Sequence, residues 1–193
     1  MNDIERGGTP QDAKEWKAPT ESAEQEYVPF GEADEAEQIK RTRHLRNTFS
    51  SDSSFAEFWD NAYKYTEQLP ITGSSPEDAE KAIQQAAQGT RFMSEVLEMF
   101  KQIKVRESGK QVNLDFSTNE LQSSLNAAGL LDKGRIKTEK LQKMMTWALD
   151  SHRRKGAELG RPSELSPEDI QHAGEDIEYI LKKVNDYLPP REK

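Results

Sequence analysis

The chain of 193 residues is 33% hydrophobic and 32% charged, with a mean hydropathy of −0.96 and a formal net charge of −8, too polar for one compact core over its full length. It contains no cysteine, which excludes disulfides, thiolate metal sites, cysteine nucleophiles and prenylation. No stretch approaches the ~18 consecutive apolar residues of a membrane span, and Met1 to Arg6 lack the pattern of a signal peptide, so an intracellular location, cytoplasmic or nuclear, is expected.

The acidity is local. Residues 1–38 carry eleven acidic and three basic residues, whereas the other 155 balance. Residues 1–32 hold too little apolar surface to offset the entropy of ordering and are expected to form a disordered acidic arm. Trp16, Tyr27 and Phe30 interrupt its polarity. Each is either an anchor for a partner groove or a side chain that docks back on the body.

Residues 33–70 read as amphipathic helices that form a docking region. Glu32 to Phe49 places Ala36, Ile39, Thr42, Leu45 and Phe49 on one stripe, acidic residues in its first half and Lys40, Arg41, Arg43 and Arg46 in its second. This order suits the helix dipole and allows a Glu37–Arg41 pair. Ser54 to Glu57 is a capping box, followed by Phe55, Phe58, Trp59 and Tyr63 on one face. That aromatic face is a candidate partner-binding surface.

Residues 75–188 read as a helical body. Ser75-Pro76-Glu77-Asp78 starts a long central helix, along which Ala79, Ala82, Ala86, Gly89, Met93, Val96, Phe100 and Ile103 recur in steps of three and four. This seam suits packing within one chain or pairing between copies, making a homo-oligomer one expectation. Gly89 is disfavoured by about 1 kcal/mol relative to alanine inside a helix, which leaves room for a kink or break. A second capping box, Ser117 to Glu120, leads to Leu121, Leu125 and Ala128, with Gly129 as a stop. Thr138 caps the next helix, whose face is Leu141, Met144, Met145, Ala148, Leu149 and His152. Ser166-Pro167-Glu168-Asp169 repeats the earlier helix start and precedes Ile170, Ala173, Ile177, Ile180, Val184 and Tyr187. The expected fold is all-α: the arm, a long central amphipathic helix and a C-terminal three-helix bundle, with 189–193 as a tail.

Chemical signatures are missing where the familiar patterns would put them. His44, His152 and His172 stand apart, with no HExxH spacing. Ser108-Gly109-Lys110 lacks the glycine and hydroxyl of a phosphate loop, and Asp132-Lys133-Gly134 lacks the carboxylates of a calcium loop. No catalytic residue, cofactor or metal ligand is assigned, and a non-enzyme is expected. The principal reading is an interaction protein (adaptor, chaperone or assembly factor) that binds a protein partner through the arm and the amphipathic helices.

A second reading involves nucleic acid or nucleoprotein. Residues 133–155 hold Lys133, Arg135, Lys137, Lys140, Lys143, Arg153, Arg154 and Lys155 against Glu139 and Asp150, a net charge of +6 able to neutralise several phosphates. The spacing Leu121, Leu125, Gly129, Leu130, Gly134 resembles the first half of the small SAP or helix-extension-helix modules, though Leu141 comes about two residues late for that pattern. In the order of its parts the chain resembles the phosphoproteins of negative-strand RNA virus polymerases, a likeness that implies a polymerase cofactor.

Overall fold

A computed structural model describes residues 27–50, 75–112, 125–158, 160 and 165–188. Four α-helices carry the architecture: α1 Glu35–Phe49, α2 Pro76–Glu107, α3 Thr138–Glu158 and α4 Pro167–Tyr187. The all-α class and the long central helix are as expected. α2 packs on α1, α3 and α4, and α3 on α4, around one shared core.

The repeated helix starts fold alike. Ser75 Oγ accepts the Asp78 N–H at 3.2 Å while the Asp78 carboxylate accepts the Ser75 N–H at 3.3 Å. Ser166 and Asp169 make the same exchange at 3.0 and 2.7 Å. Each pair satisfies two helix-end donors and places a carboxylate at the positive end of the dipole.

α2 runs unbroken for 32 residues through Gly89, about 48 Å at ~1.5 Å per residue. The kink for which Gly89 left room does not form, and Gly89 serves close packing instead. A Cβ there would lie 2.8 Å from Met145 Cε and 3.2 Å from Leu141 Cδ1 of α3. On another face of α3, a Cβ on Gly174 of α4 would meet Thr146 Oγ1 at 2.9 Å. Gly89→Val should therefore lower the unfolding free energy by about 1–3 kcal/mol through overpacking, measured by urea denaturation; an unchanged midpoint would mean that α3 is not held this close.

The seam of α2 faces inward. Ala86, Met93, Val96, Phe100 and Ile103 are buried within the chain, and Ala82 is half-buried. Their apolar surface is spent on α1, α3 and α4, so the seam offered for self-association is not presented to a second copy.

Between α2 and α3 the chain makes a feature the periodicity does not announce. Residues 125–127 are helical, Gly129 (φ 66°) ends the turn, and the Leu130 N–H returns to the Leu125 carbonyl at 2.9 Å. Strands β1 Leu131–Asp132 and β2 Arg135–Ile136 then pair antiparallel, Leu131 opposite Ile136. Lys133 (φ 50°) and Gly134 (φ 77°) form the two-residue turn, the left-handed pair such a tight hairpin needs. Asn185 of α4 grips it: its Oδ1 accepts the Ile136 N–H at 2.9 Å and its Nδ2 donates to the Ile136 carbonyl at 3.0 Å. The two helices expected to frame this segment are thus linked by a hairpin, with Gly134 in its turn.

Candidate partner-binding surface

The surface is set by how α1 is held. Its N-terminus is capped by Asp34, which accepts the Glu37 N–H at 2.8 Å, and its buried face is Gln38, Thr42, Leu45 and Phe49. The predicted stripe is right in its second half only. Ala36 is exposed and Ile39 half-buried, because Gln38 turns inward to donate to the carbonyls of Phe30 and Ala33 at 2.8 and 3.1 Å.

Those carbonyls belong to a segment expected to lie in the arm. Residues 27–32 instead form a strap across α1 and α4. Phe30 is 2% exposed, with its ring 5.6 Å from Phe100 and 5.4 Å from Tyr179. The Tyr27 hydroxyl donates to Asp176 Oδ1 at 3.2 Å, and its ring stacks on His172 at 3.7 Å. The boundary of the arm therefore moves from residue 32 to before residue 27. Of the two roles open to the arm's aromatics, Tyr27 and Phe30 take the intrachain one.

Asp176, 4% exposed, is the hub. Arg41 donates Nε to its Oδ2 at 2.8 Å and Nη2 to its Oδ1, and sends Nη1 to the Val28 carbonyl at 2.8 Å. The guanidinium also sits 5.0 Å from the centre of the Tyr27 ring. This replaces the expected Glu37–Arg41 pair: Arg41 goes to the buried carboxylate, and Glu37 pairs with Lys40 at 3.1 Å, since an exposed partner offers little in water. Burial pushes the Asp176 carboxyl up, while Arg41 and Tyr27 pull it back toward the ionised form. For Arg41, burial works against the charge and the Asp176 hydrogen bonds more than offset it, raising its pKa.

The Tyr27 phenol is pushed up to about 12, by burial first and then by the negative charge of Asp176. Raised above the ordinary value of 10.0, it binds its proton more tightly folded than unfolded. Its contribution is complete below the unfolded value and is lost as pH rises through the folded one. In an alkaline titration followed by tyrosinate absorbance, one late step near pH 12 should vanish in Tyr27→Phe; its survival in that variant would contradict the burial.

With α1 fixed on one side by the clamp, its other side meets α2 along a half-open cleft of about 60 Å3. One wall is Ile39, Thr42, Arg43 and Arg46, the other Leu97, Phe100, Lys101 and Lys104. Both walls follow the spacing i, i+3, i+4, i+7, two turns of helix facing two turns of helix. Thr42, Leu97 and Phe100 form a buried floor, and the four cations stand on the rim. Thr42 has spent its hydroxyl on the Gln38 carbonyl at 2.7 Å. Glu98 lies 3.0 Å from Arg46 and 3.8 Å from Lys101, and its Oε2 is buried without a well-formed hydrogen bond. Lys104 is 3.6 Å from Glu107, whose carboxyl is held low chiefly by its hydrogen bond from Lys183. Arg43 is exposed and has no ion pair among the described residues.

The basic residues of 133–155 are not brought into one patch. Lys133, Arg135, Lys137 and Lys140 lie on or beside the hairpin, while Arg153, Arg154 and Lys155 lie at the far end of α3, about 24 Å away along the helix axis. Asp150 pairs with Arg153 and Arg154 at 2.9 and 2.6 Å, Glu158 with Lys155 at 2.9 Å and Glu139 with Lys143 at 2.6 Å. Arg135 is engaged by the Asn185 carbonyl. Trp16, Phe55, Phe58, Trp59 and Tyr63 lie outside the described residues, as do the Ser54 and Ser117 capping boxes and Leu121.

Among the described residues no three His, Asp or Glu side chains gather closely enough to hold a metal ion, and no helix is long and apolar enough to cross a membrane. No family model, curated protein or solved structure matches the chain.

Asp176 and the cleft are the features that sequence reasoning missed. Asp176 did carry a signal: it stands three residues after Ala173 and four before Ile180, on the apolar face of α4, where a lone carboxylate requires a buried partner. The cleft carried none, because its two walls are 58 positions apart (Ile39 and Leu97).

Proposed function

We propose that this chain is a non-catalytic, all-helical interaction protein, an adaptor, chaperone or assembly factor inside the cell, that binds a protein partner at the α1–α2 cleft. The observation that supports this is the cleft's construction: a buried floor between two helices, rimmed by cations, with α1 tied to α4 by the Arg41–Asp176 clamp. A surface of that kind suits docking of a side chain from another protein. The aromatic residues Trp16, Phe55, Phe58, Trp59 and Tyr63 remain proposed further contacts of the same partner.

The test is cross-linking mass spectrometry on complexes of the full chain, with Arg43→Glu/Lys101→Glu in parallel. Partner cross-links at Lys101 and Lys104 are expected in the parent, with the one at Lys104, whose amine the variant keeps, lost in the variant. Cross-links concentrated elsewhere and indifferent to the variant would sink the assignment of the cleft.

The second reading, a nucleic-acid or nucleoprotein-binding cofactor resembling a viral phosphoprotein, draws support from Lys133 and Lys137, which are exposed and have no ion pair among the described residues. It expects RNA binding by the full chain that falls steeply with salt and weakens in Lys133→Glu/Lys137→Glu. No binding at low salt would remove it.

A further inference from the structure

We infer that the occupant of the α1–α2 cleft is an acidic peptide segment of a protein partner: carboxylates about one helical turn apart, flanking a single aliphatic side chain. The inference rests on the interaction reading above and names the chemistry of the partner at that site.

Three properties of the cleft carry it. It is small, about 60 Å3, and its floor of Thr42, Leu97 and Phe100 presents no free donor, because the threonine hydroxyl already gives its proton to the Gln38 carbonyl. The entering group is therefore apolar and small. Its length is two helical turns on each wall, about 10 Å, which limits the occupant to a short segment.

Its charge is one-sided. Four rim cations stand beside two carboxylates: Glu107, 3.6 Å from Lys104, and Glu98, which lies within 4 Å of Arg46 across the cleft and of Lys101 on its own helix and yet has an oxygen without a well-made hydrogen bond. The chain thus already places one carboxylate between Arg46 and Lys101, and leaves Arg43 without such a partner among the described residues. Carboxylates on an incoming peptide meet Arg43, Arg46 and Lys101, whose exposed heads can turn toward them while their stems stay against the floor. Nucleic acid suits this site less. Its affinity comes from many phosphates in a row, and a two-turn rim three of whose four cations are already shared with Glu98 and Glu107 offers few, over a floor with no free donor for a base edge.

The experiment is fluorescence anisotropy on the full chain with a labelled nine-residue probe, four glutamates on each side of one leucine. Controls are the same probe with serine for leucine, the same with lysines for the glutamates, and a nine-nucleotide single strand. Charge steering and pairing predict at least about a tenfold preference for the acidic over the basic probe and a similar loss in Arg43→Glu/Lys101→Glu. Loss of the leucine costs about fivefold or more. Glu98→Gln, which removes the competing carboxylate, tightens binding by about threefold, a gain that misfolding cannot produce.

Equal binding of acidic and basic probes, or no response to both variants, overturns the inference. Tighter binding of the nucleotide strand, lost in Arg43→Glu/Lys101→Glu, reassigns the cleft to nucleic acid. Binding of the acidic probe only after Glu21, Glu24 and Glu26 are changed to glutamine assigns the cleft to the chain's own acidic stretch, and also overturns it. Partner cross-links that are lost on charge reversal, together with an acidic probe that does not bind, leave the interaction reading standing and remove only the acidic segment. If cross-links and probe both fail, both ideas fall.

Discussion

Asp176→Ala is expected to lower the unfolding free energy by about 3–5 kcal/mol, because it leaves the buried guanidinium of Arg41 without its counter-charge. The Asp176 side chain is 6% exposed and that of Arg41 17%, so water replaces the lost carboxylate only in part. The same substitution strands the Tyr27 hydroxyl, which donates to Asp176. The pair replaced together, Arg41→Met with Asp176→Leu, should lose much less, since two apolar side chains leave no charge to solvate. Urea denaturation of the single and double variants checks both statements. A single variant within about 1 kcal/mol of the parent would mean that the clamp is open to water in solution.

Phe30→Ala is expected to cost about 3–5 kcal/mol if the loss is borne by the whole fold, and less if the strap lets go by itself. Phe30 packs on Phe100 of α2 and Tyr179 of α4, with the Arg41 guanidinium 5.2 Å from its ring centre, so truncation opens a cavity where three elements meet. Gly31 follows with no room to spare: a Cβ there would lie 2.7 Å from the Tyr179 ring. Hydrogen exchange separates the two outcomes. Rapid exchange confined to residues 27–38 marks release of the strap, and a uniform rise marks loss of the fold. An unperturbed protein by both measures would return residues 27–32 to the arm.

Local chemistry was legible wherever it depends on neighbours in the chain. The two Ser-Pro-Glu-Asp starts fold as their letters say, since a capping box needs only four consecutive residues. Gly129 stops its turn as read, and the three-four rhythm from Ala79 to Ile103 gives a helix with that face buried. What the rhythm cannot state is which surface covers it, and the coverage comes from α1, α3 and α4 of the same chain. The helix propensity of Gly89 is local and leaves room for a kink, but the close approach of Leu141 and Met145 that a small residue on the seam permits is what the fold uses. The hairpin escaped notice because two-residue strands are too short to alternate, and the strap because the polarity of residues 1–26 hid the apolar end at Tyr27 to Phe30. The site followed suit: the rim cations look like an ordinary solvated helix face until α2 is laid beside them.

The clamp joins residues 149 and 135 positions apart, Tyr27 and Arg41 to Asp176. On a ribosome adding ~5–20 residues each second, Asp176 is made on the order of ten seconds after Arg41. Until α2 is made, α1 has no helix to pack on and Phe30 no Phe100; until α4 is made, Tyr27 and Arg41 have no Asp176 and Phe30 no Tyr179. The clamp thus closes only after α4 has been made, and until then the strap is held by α1 and α2 alone.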